Sequence, residues 1–271
     1  MPTVVHNGAR HWQRYGTEAS LKRWVAWLIA TAVFAWCWQK ISVGTEWSFV
    51  LDAPAQGADI LDRMLPPEWA YANTLWRPMW DTLNMATLGT MMAVVIAVPL
   101  AFLAAQNTTP SVAFVRPLAL LCIVASRSIN SVIWALVLVL VLGPGVLSGT
   151  IAIGLRSIGF IGKLLYEAIE EIDRRPVDAI SSTGASQSQV MAYGVVPQIM
   201  PVFAGIAVFR WDINIRESTI LGLVGAGGLG LQLNSASGNL DWSRVSVILL
   251  SIFATVIVSE WVSARIRKAV T

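Results

Sequence analysis

Six long apolar stretches constrain the fold of this chain more than any other feature. They cover residues 21–41, 80–105, 117–142, 150–172, 198–215 and 245–264. Each is close to the length of about 20 residues that a helix needs to cross the hydrocarbon core of a bilayer. Of the 271 residues, 55% are hydrophobic and only 13% are charged, about half the charged fraction of a soluble domain. The sequence therefore predicts an all-α membrane protein with about six transmembrane helices.

Many of the basic residues collect near the ends of these stretches, and their placement predicts the orientation. They flank the first stretch and follow the last one: Arg10, Arg14, Lys22 and Arg23, then Arg265, Arg267 and Lys268. Because cytoplasmic loops carry the excess of Lys and Arg, we expect a multi-pass protein of the cytoplasmic (inner) membrane with both termini in the cytoplasm. The first stretch is expected to be a retained anchor. The same placement explains the net charge of +3 by membrane orientation. It therefore gives no support for a nucleic-acid partner.

Three regions are expected along the chain. Residues 1–20 form a cytoplasmic leader, either disordered or an amphipathic surface helix. Residues 21–79 hold the first span and an acidic extracytoplasmic segment, in which residues 60–65 are expected to form a short interfacial helix. Residues 80–271 form the membrane core.

The polar loop 174–197 interrupts the apolar pattern of the core on the predicted cytoplasmic side. It carries Asp178 and Ala179, then Gly184, and Pro197 at its end. Because Pro is tolerated in the first turn of a helix, this order predicts a short helix, a glycine turn and a second helix that enters the membrane. We expect the loop to dock a soluble partner.

This loop resembles the EAA loop of the permease subunits of ABC importers. Asp178, Ala179 and Ile180 stand where that family has Glu-Ala-Ala, and Gly184 and Pro197 match its Gly and Pro. Residues 210–230 and 125–130 resemble the phosphonate-type branch of these permeases. The chain departs from that branch at Asn130, where Pro is usual, and at Glu217, where a small residue is usual.

The resemblance implies a type I ABC importer permease (MetI-like) fold and a permease that moves phosphonate, phosphite or a phosphate ester by alternating access. It implies four kinds of partner: a second copy of this chain, two ABC ATPase subunits, an extracytoplasmic phosphonate-binding protein and the bilayer. ATP and Mg would be bound by the ATPase subunits, and this chain would hold no cofactor. Coupling to the ATPase would fall to Asp178, Ala179, Ile180, Gly184 and Pro197.

Polar residues at membrane depth are expensive and commonly mark a pathway or an ion pair. Arginine presents a planar fork of donors that suits a tetrahedral oxyanion. The predicted substrate path therefore consists of Ser126, Arg127, Ser128, Asn130, Arg210, Asn214, Arg216, Ser218 and Thr219. The alternative for Arg127 is a salt bridge or a carbonyl cap, and that for Arg210 to Glu217 is an internal set of ion pairs, in which Asp212 faces Arg216 at i,i+4. Arg156 is a further charge at membrane depth, and the alternative for it is a position near an interface, with its charge turned towards water.

Gly225, Gly227, Gly228 and Gly230 spell a dinucleotide-binding pattern by letter only, because no strand–turn–helix context surrounds them. In a membrane segment they predict a broken helix or close packing at a gate. The chain has no P-loop, and its two histidines, His6 and His11, lie in the leader, so we expect neither an enzyme nor a metal site. A stand-alone secondary anion transporter and an integral membrane enzyme are the alternatives.

Overall fold

A computed structural model of the chain describes residues 3–6, 9–12 and 17–270. The described chain divides into two compact units, one ending at Ile60 and the other beginning at Leu61. The described helices and strands are β1 (Thr3–His6), β2 (Ala9–Trp12), α1 (Thr17–Gly44), α2 (Trp47–Met64), α3 (Trp76–Ala104), α4 (Val115–Ser128), α5 (Ser131–Leu142), α6 (Val146–Glu170), α7 (Arg174–Ser182), α8 (Gln187–Val190), α9 (Val196–Leu221), α10 (Gly228–Gly238) and α11 (Trp242–Val270), with a 3-10 helix at Trp69–Thr74 and π-helical turns at Met191–Val195 and Gly222–Ala226.

The N-terminal region differs from both structures that the sequence predicted for the leader. Strands β1 and β2 pair antiparallel, with Thr3 opposite Trp12. Helix α1 then provides the first membrane-length helix, and its apolar residues are exposed. The segment after it forms α2, an 18-residue helix, where only a short helix at residues 60–65 was expected. Its alanines favour a helix, and Pro66 lies just beyond its end.

Helix α6 is the most buried of the membrane-length helices, because 56% of its most apolar 18-residue stretch is buried. Glycines allow this burial because they let neighbouring backbones approach closely. A Cβ at Gly159 would lie 2.5 Å from the Ile123 carbonyl oxygen of α4, and one at Gly149 would lie 2.5 Å from Met85 Sδ of α3. The membrane core is therefore assembled around α6.

The third span is broken, as the sequence predicted for residues 126–131. Helices α4 and α5 meet at an angle of 85°. Asn130 starts α5 as its N-cap, because its side-chain oxygen accepts a hydrogen bond from the Val132 amide at 3.1 Å. The described chain has five helices that are long and apolar enough to cross a membrane, or six spans if this bent pair counts as one. The predicted all-α membrane fold is confirmed.

Candidate functional site

One carboxylate in the membrane core faces two guanidinium groups. Glu217 of α9 accepts from Arg156 Nη1 of α6 at 3.0 Å and from Arg210 Nη2 of α9 at 3.3 Å. Side-chain exposure rises from 3% at Arg210 to 14% at Glu217 and 33% at Arg156. Two cations and one anion leave one positive charge uncompensated. We call these three residues the Glu217 cluster.

Neutral polar groups complete the surroundings of Arg210. Its Nε donates to Ser157 Oγ at 2.9 Å, and its guanidinium lies 5.1 Å from the centre of the Phe160 ring. Asn214 donates to Thr90 Oγ1 at 2.7 Å and to Ser157 Oγ at 3.1 Å. Buried polar groups stabilise a structure only when they are hydrogen-bonded, and this network joins α3, α6 and α9.

Arg156 forms one of the pairs that the sequence allowed for a charge at membrane depth. It also donates to Ser131 Oγ of α5 at 3.2 Å. Its second partner, Glu217, is 61 residues away in the chain. The cluster therefore links the second half of the broken span to α6 and α9. No local spacing indicates such a pairing, because it depends on how the helices pack.

The predicted path residues of α9 are mostly covered in this conformation. Arg210, Asn214 and Ser218 are buried, and Ser218 Oγ donates to the Ile215 carbonyl at 2.7 Å. Thr219 is half-buried. Arg216 is exposed and pairs with Asp212, so the predicted i,i+4 pair is present. Substrate contact by these side chains stays a prediction.

Asp212 ties this pair to the last helix. Its side chain is 4% exposed, and its Oδ1 accepts a hydrogen bond from Ser259 Oγ of α11 at 3.1 Å. The carboxylate therefore contacts both Arg216 and α11. Together, the ion pairs of α9 match the internal set that the sequence allowed as an alternative to substrate contact.

Three polar side chains around Arg127 serve the local structure. Ser126 Oγ donates to the Leu155 carbonyl and accepts from the Gly159 amide at 2.9 Å, which joins α4 to α6. Ser128 Oγ donates to the Val124 carbonyl at 2.7 Å, and Asn130 caps α5. Arg127 itself is exposed and, among the residues that the structure describes, its side chain has no hydrogen-bond or ion-pair partner.

The loop 174–197 has the predicted order of elements. Helix α7 is followed by Gly184 with φ of +81°, then α8 and a π-helical turn, and Pro197 stands in the first turn of α9. Asp178 and Ala179 are exposed. Ile180 is half-buried, and its Cδ1 would lie 3.5 Å from a Cβ at Gly194. This geometry is compatible with coupling to an ATPase subunit through these residues, and the coupling itself stays a prediction.

Gln198 fastens this loop to the membrane core. Its Nε2 donates to the Gly194 carbonyl at 2.7 Å and to the Asp173 carbonyl at 3.1 Å, while its Oε1 accepts from the Asp173 amide at 3.0 Å. Asp173 caps α7, and the hydrogen bonds from the Arg175 side chain and amide lower the pKa of its carboxyl group. The start of α7 and the start of α9 are thus held together by one amide side chain. The sequence analysis did not single out Gln198.

The glycine stretch forms a break between α9 and α10. Gly225, Gly227 and Gly228 have φ of +96°, +91° and +68°, values that favour glycine. A Cβ at Gly230 would lie 1.9 Å from the Thr219 carbonyl oxygen, so α10 folds back against α9. The Leu229 amide donates to Thr82 Oγ1 of α3 at 2.9 Å. The predicted broken helix and close packing are present, and gating stays a prediction.

A bundle of membrane-length helices around α6, with one bent span and a polar helical loop between two spans, defines a multi-pass helical membrane protein. Residues 74–271 match the family described as the binding-protein-dependent transport system inner membrane component, and the chain belongs to this family. It is therefore the permease subunit of an ABC importer and not an enzyme.

Curated relatives cover most of the chain. It is 39% identical, over 78% of its own length and 76% of the relative's, to the phosphite transport system permease protein PtxC of Stutzerimonas stutzeri. It is 35% identical, over 90% of its length and 81% of the relative's, to the putative phosphite transport system permease protein HtxC of the same organism. It is also 39% identical to the phosphate-import permease protein PhnE of Mycolicibacterium smegmatis, over 81% of its own length and 42% of that protein.

Solved structures agree on the fold. The chain resembles a subunit of the MetNI methionine ABC transporter in an inward-facing form, with a TM-score of 0.62 and 22% identity over 73% of this chain and 96% of that one. An amino acid ABC transporter gives a TM-score of 0.63 and 16% identity over 74% of this chain and 95% of that one. The type I importer permease fold is confirmed.

Proposed function

We propose that this permease imports a phosphorus oxyanion: phosphite, phosphonate or a phosphate ester. The observation that carries the proposal is the 39% identity to a phosphite transport permease over 78% of the chain. The matched family region includes the Glu217 cluster and the loop 174–197.

The charges of the membrane core support an anionic substrate. The Glu217 cluster keeps one uncompensated positive charge, and Arg127 is exposed without a counter-ion among the described residues. An uncompensated charge at membrane depth costs free energy and commonly marks an ion pathway. A passing ion must bind favourably enough to enter and weakly enough to leave, and a cation that is partly neutralised by a shared carboxylate meets both conditions.

The proposed assembly contains two copies of this chain, two ABC ATPase subunits and an extracytoplasmic phosphonate-binding protein, with both termini of the chain in the cytoplasm. The ATPase subunits bind ATP and Mg. Closure of the ATPase pair pushes on α7 through Asp178 and Ala179, and Gln198 passes this movement to the start of α9. Because α9 carries Glu217 and Arg210, such a movement reaches the ionic cluster in the core.

Uptake by the complete complex tests the proposal. Cells or proteoliposomes carry this chain with the ATPase and binding protein encoded beside it, and uptake of labelled methylphosphonate is measured with unlabelled phosphite and phosphate as competitors. We expect uptake that disappears when the ATPase is made inactive. Strong competition by phosphite with little methylphosphonate uptake identifies phosphite as the preferred substrate.

Two results would contradict the proposal. Uptake that persists with the inactive ATPase would point to a secondary transporter. A complex that hydrolyses ATP in response to its binding protein but takes up none of the three oxyanions would exclude this substrate class.

A further inference from the structure

A groove between α4 and α6 brings two cations together outside the Glu217 cluster. Its volume is about 470 Å³, and its polar lining consists of Arg127 and Ser128 of α4 with Lys163 and Tyr166 of α6. Leu120 and Val124 provide apolar wall. We call this space the α4–α6 groove. The sequence had singled out Arg127 and Ser128, but not Lys163 or Tyr166.

The charges of the groove repeat those of the Glu217 cluster. Lys163 Nζ lies 3.5 Å from Glu167 Oε1, with both side chains about 40% exposed (39% and 40%). Arg127 is exposed beside them without an ionic partner in the described chain. Two cations and one carboxylate again leave one positive charge uncompensated.

The two charged places lie on one face of one helix. Arg156 and Lys163 are seven residues apart on α6, which corresponds to about two turns and about 10 Å along the axis. Helix α6 therefore carries both a cation of the Glu217 cluster and a cation of the groove. An anion that leaves one place meets the other after a short step along the same helix.

We propose that the α4–α6 groove is a second binding place for a tetrahedral phosphorus oxyanion, with Lys163 and Arg127 as its charged ligands. This inference rests on the proposed function, because it places the groove after the Glu217 cluster on the way of the same oxyanion. Lysine acts as a point charge and arginine as a planar fork. The hydroxyl groups of Tyr166 and Ser128 lie in the same lining but donate to Glu167 and to the Val124 carbonyl, so the two cations carry the binding. Partial neutralisation of Lys163 by Glu167 keeps the binding weak enough for release.

Transport by the complete complex in proteoliposomes tests the groove. Lys163→Gln and Arg127→Gln are each expected to lower the maximal uptake rate about tenfold, the effect of losing one charge-assisted hydrogen bond. The KM is expected to change little, because the binding protein outside captures the substrate. Lys163→Arg keeps the charge and is expected to retain most of the rate. Lys268→Gln, the same change at an exposed lysine of α11, is expected to transport like the wild type.

Glu167→Gln separates a ligand role of Lys163 from a purely structural ion pair. If the Lys163–Glu167 pair only holds α6, removing either partner lowers uptake equally. If Lys163 binds the oxyanion, Glu167→Gln leaves the groove more positive. We then expect stronger broadening of the phosphorus-31 resonance of phosphite by the ATP-free complex, and slower release during transport. Equal losses of uptake in the two variants, with no increase in phosphite broadening by Glu167→Gln, would overturn the proposal.

A lipid phosphate could occupy the same groove, and the composition of the bilayer distinguishes the two sources. In nanodiscs of phosphatidylcholine alone, the complex is expected to broaden the phosphorus-31 resonance of phosphite, and Lys163→Gln is expected to reduce this broadening. If phosphatidylglycerol abolishes it and only lipid resonances respond to Lys163→Gln, the groove is a headgroup site and the proposal is wrong. Wild-type rates in both Lys163→Gln and Arg127→Gln would also overturn it while leaving the proposed function intact. A wild-type complex that imports no phosphorus oxyanion would remove both.

Discussion

At Glu217, one carboxylate receives hydrogen bonds from guanidinium groups on two helices. The two arginines differ in how much they depend on it. Arg156 is one third exposed and also donates to Ser131, whereas Arg210 is almost fully buried. Removing one partner of a buried ion pair leaves the other charge uncompensated, which is costlier than replacing both partners. Glu217 is therefore more important for Arg210 than for Arg156.

Glu217→Gln is expected to lower the thermal unfolding temperature of the purified protein. The variant leaves the buried charge of Arg210 without its counter-ion, and breaking a buried ion pair costs about 3–5 kcal/mol. Tryptophan fluorescence during heating measures the shift. Glu260→Gln makes the same chemical change at an exposed carboxylate of α11 and is expected to leave the temperature unchanged. Equal stability of the two variants would mean that Ser157 and Phe160 suffice to hold Arg210.

The residues around Arg127 illustrate which site features the sequence allowed us to predict. The polar break at residues 126–131 was visible as polar letters inside an apolar stretch. The structural roles of the individual residues were harder to predict, because Ser126 joins two helices and Asn130 caps one. An Asn directly before an apolar helical run is an N-cap signal, and it would have assigned Asn130 correctly. Lys163 and Tyr166, which line the groove together with Arg127, lie on α6. Their position beside Arg127 depends on tertiary packing.

At the scale of elements, the junction of α9 and α10 depends on contacts that only glycine permits. Gly230 lies against the Thr219 carbonyl. A Cβ at Gly222 would lie 2.5 Å from the Gly227 carbonyl oxygen. Both contacts are with backbone, which cannot move aside as a flexible side chain can. The glycine pattern in the sequence predicted close packing but did not tell which glycines make the contacts.

Gly230→Ala is therefore expected to destabilise the protein or prevent its accumulation in the membrane. The added methyl group would overlap the Thr219 carbonyl oxygen. Gly205→Ala is the matched control on α9, because a Cβ there meets nothing within 4 Å, and alanine favours a helix over glycine by about 1 kcal/mol. Yield of folded protein and unfolding temperature measure both variants. A Gly230→Ala protein as stable as Gly205→Ala would contradict the close packing of α10 on α9.

Element boundaries followed from the sequence where the apolar pattern was strong. The membrane helices lie close to the predicted spans, and Pro197 opens α9 as expected. Helix α2 was predicted only over its last turn, because its acidic and apolar residues alternate without a long apolar run. The extension of helical structure back to Gln187 was also missed, because the sequence analysis began the second helix at Pro197, whereas the residues before it form a short helix and a π-helical turn.

At the scale of the whole molecule, the loop 174–197 is joined to the membrane core by apolar packing of Val177 and Val195 in the cluster around Leu165, and by hydrogen bonds. Gln198 provides two hydrogen bonds between the start of α7 and the start of α9, both with Asp173, and a third to the Gly194 carbonyl in the turn before α9. Val177 and Ile180 add apolar contact with Gly194. A push on α7 can reach α9 through these hydrogen bonds and apolar contacts. The proposed coupling therefore depends on Gln198 as much as on the exposed Asp178 and Ala179.

Gln198→Leu is expected to uncouple transport from ATP hydrolysis in the complete complex. Leucine has a similar size but neither donates nor accepts hydrogen bonds, so α7 can move without α9. We expect the number of substrate molecules imported per ATP to fall severalfold while hydrolysis continues. Gln106→Leu, at an exposed glutamine after α3, serves as the control. An unchanged ratio in Gln198→Leu would show that the apolar contacts alone carry the movement.

The positive excess of the Glu217 cluster also bears on bioenergetics. A negative cell interior opposes the entry of an anion by about 2.3 kcal/mol per elementary charge for each 100 mV. A fixed cation in the span lowers the barrier that the anion meets midway, but it is the same before and after each passage and contributes nothing to the net work. For the proposed cargo, import is therefore expected to be electrogenic, with the voltage overcome by ATP and not by the arginines.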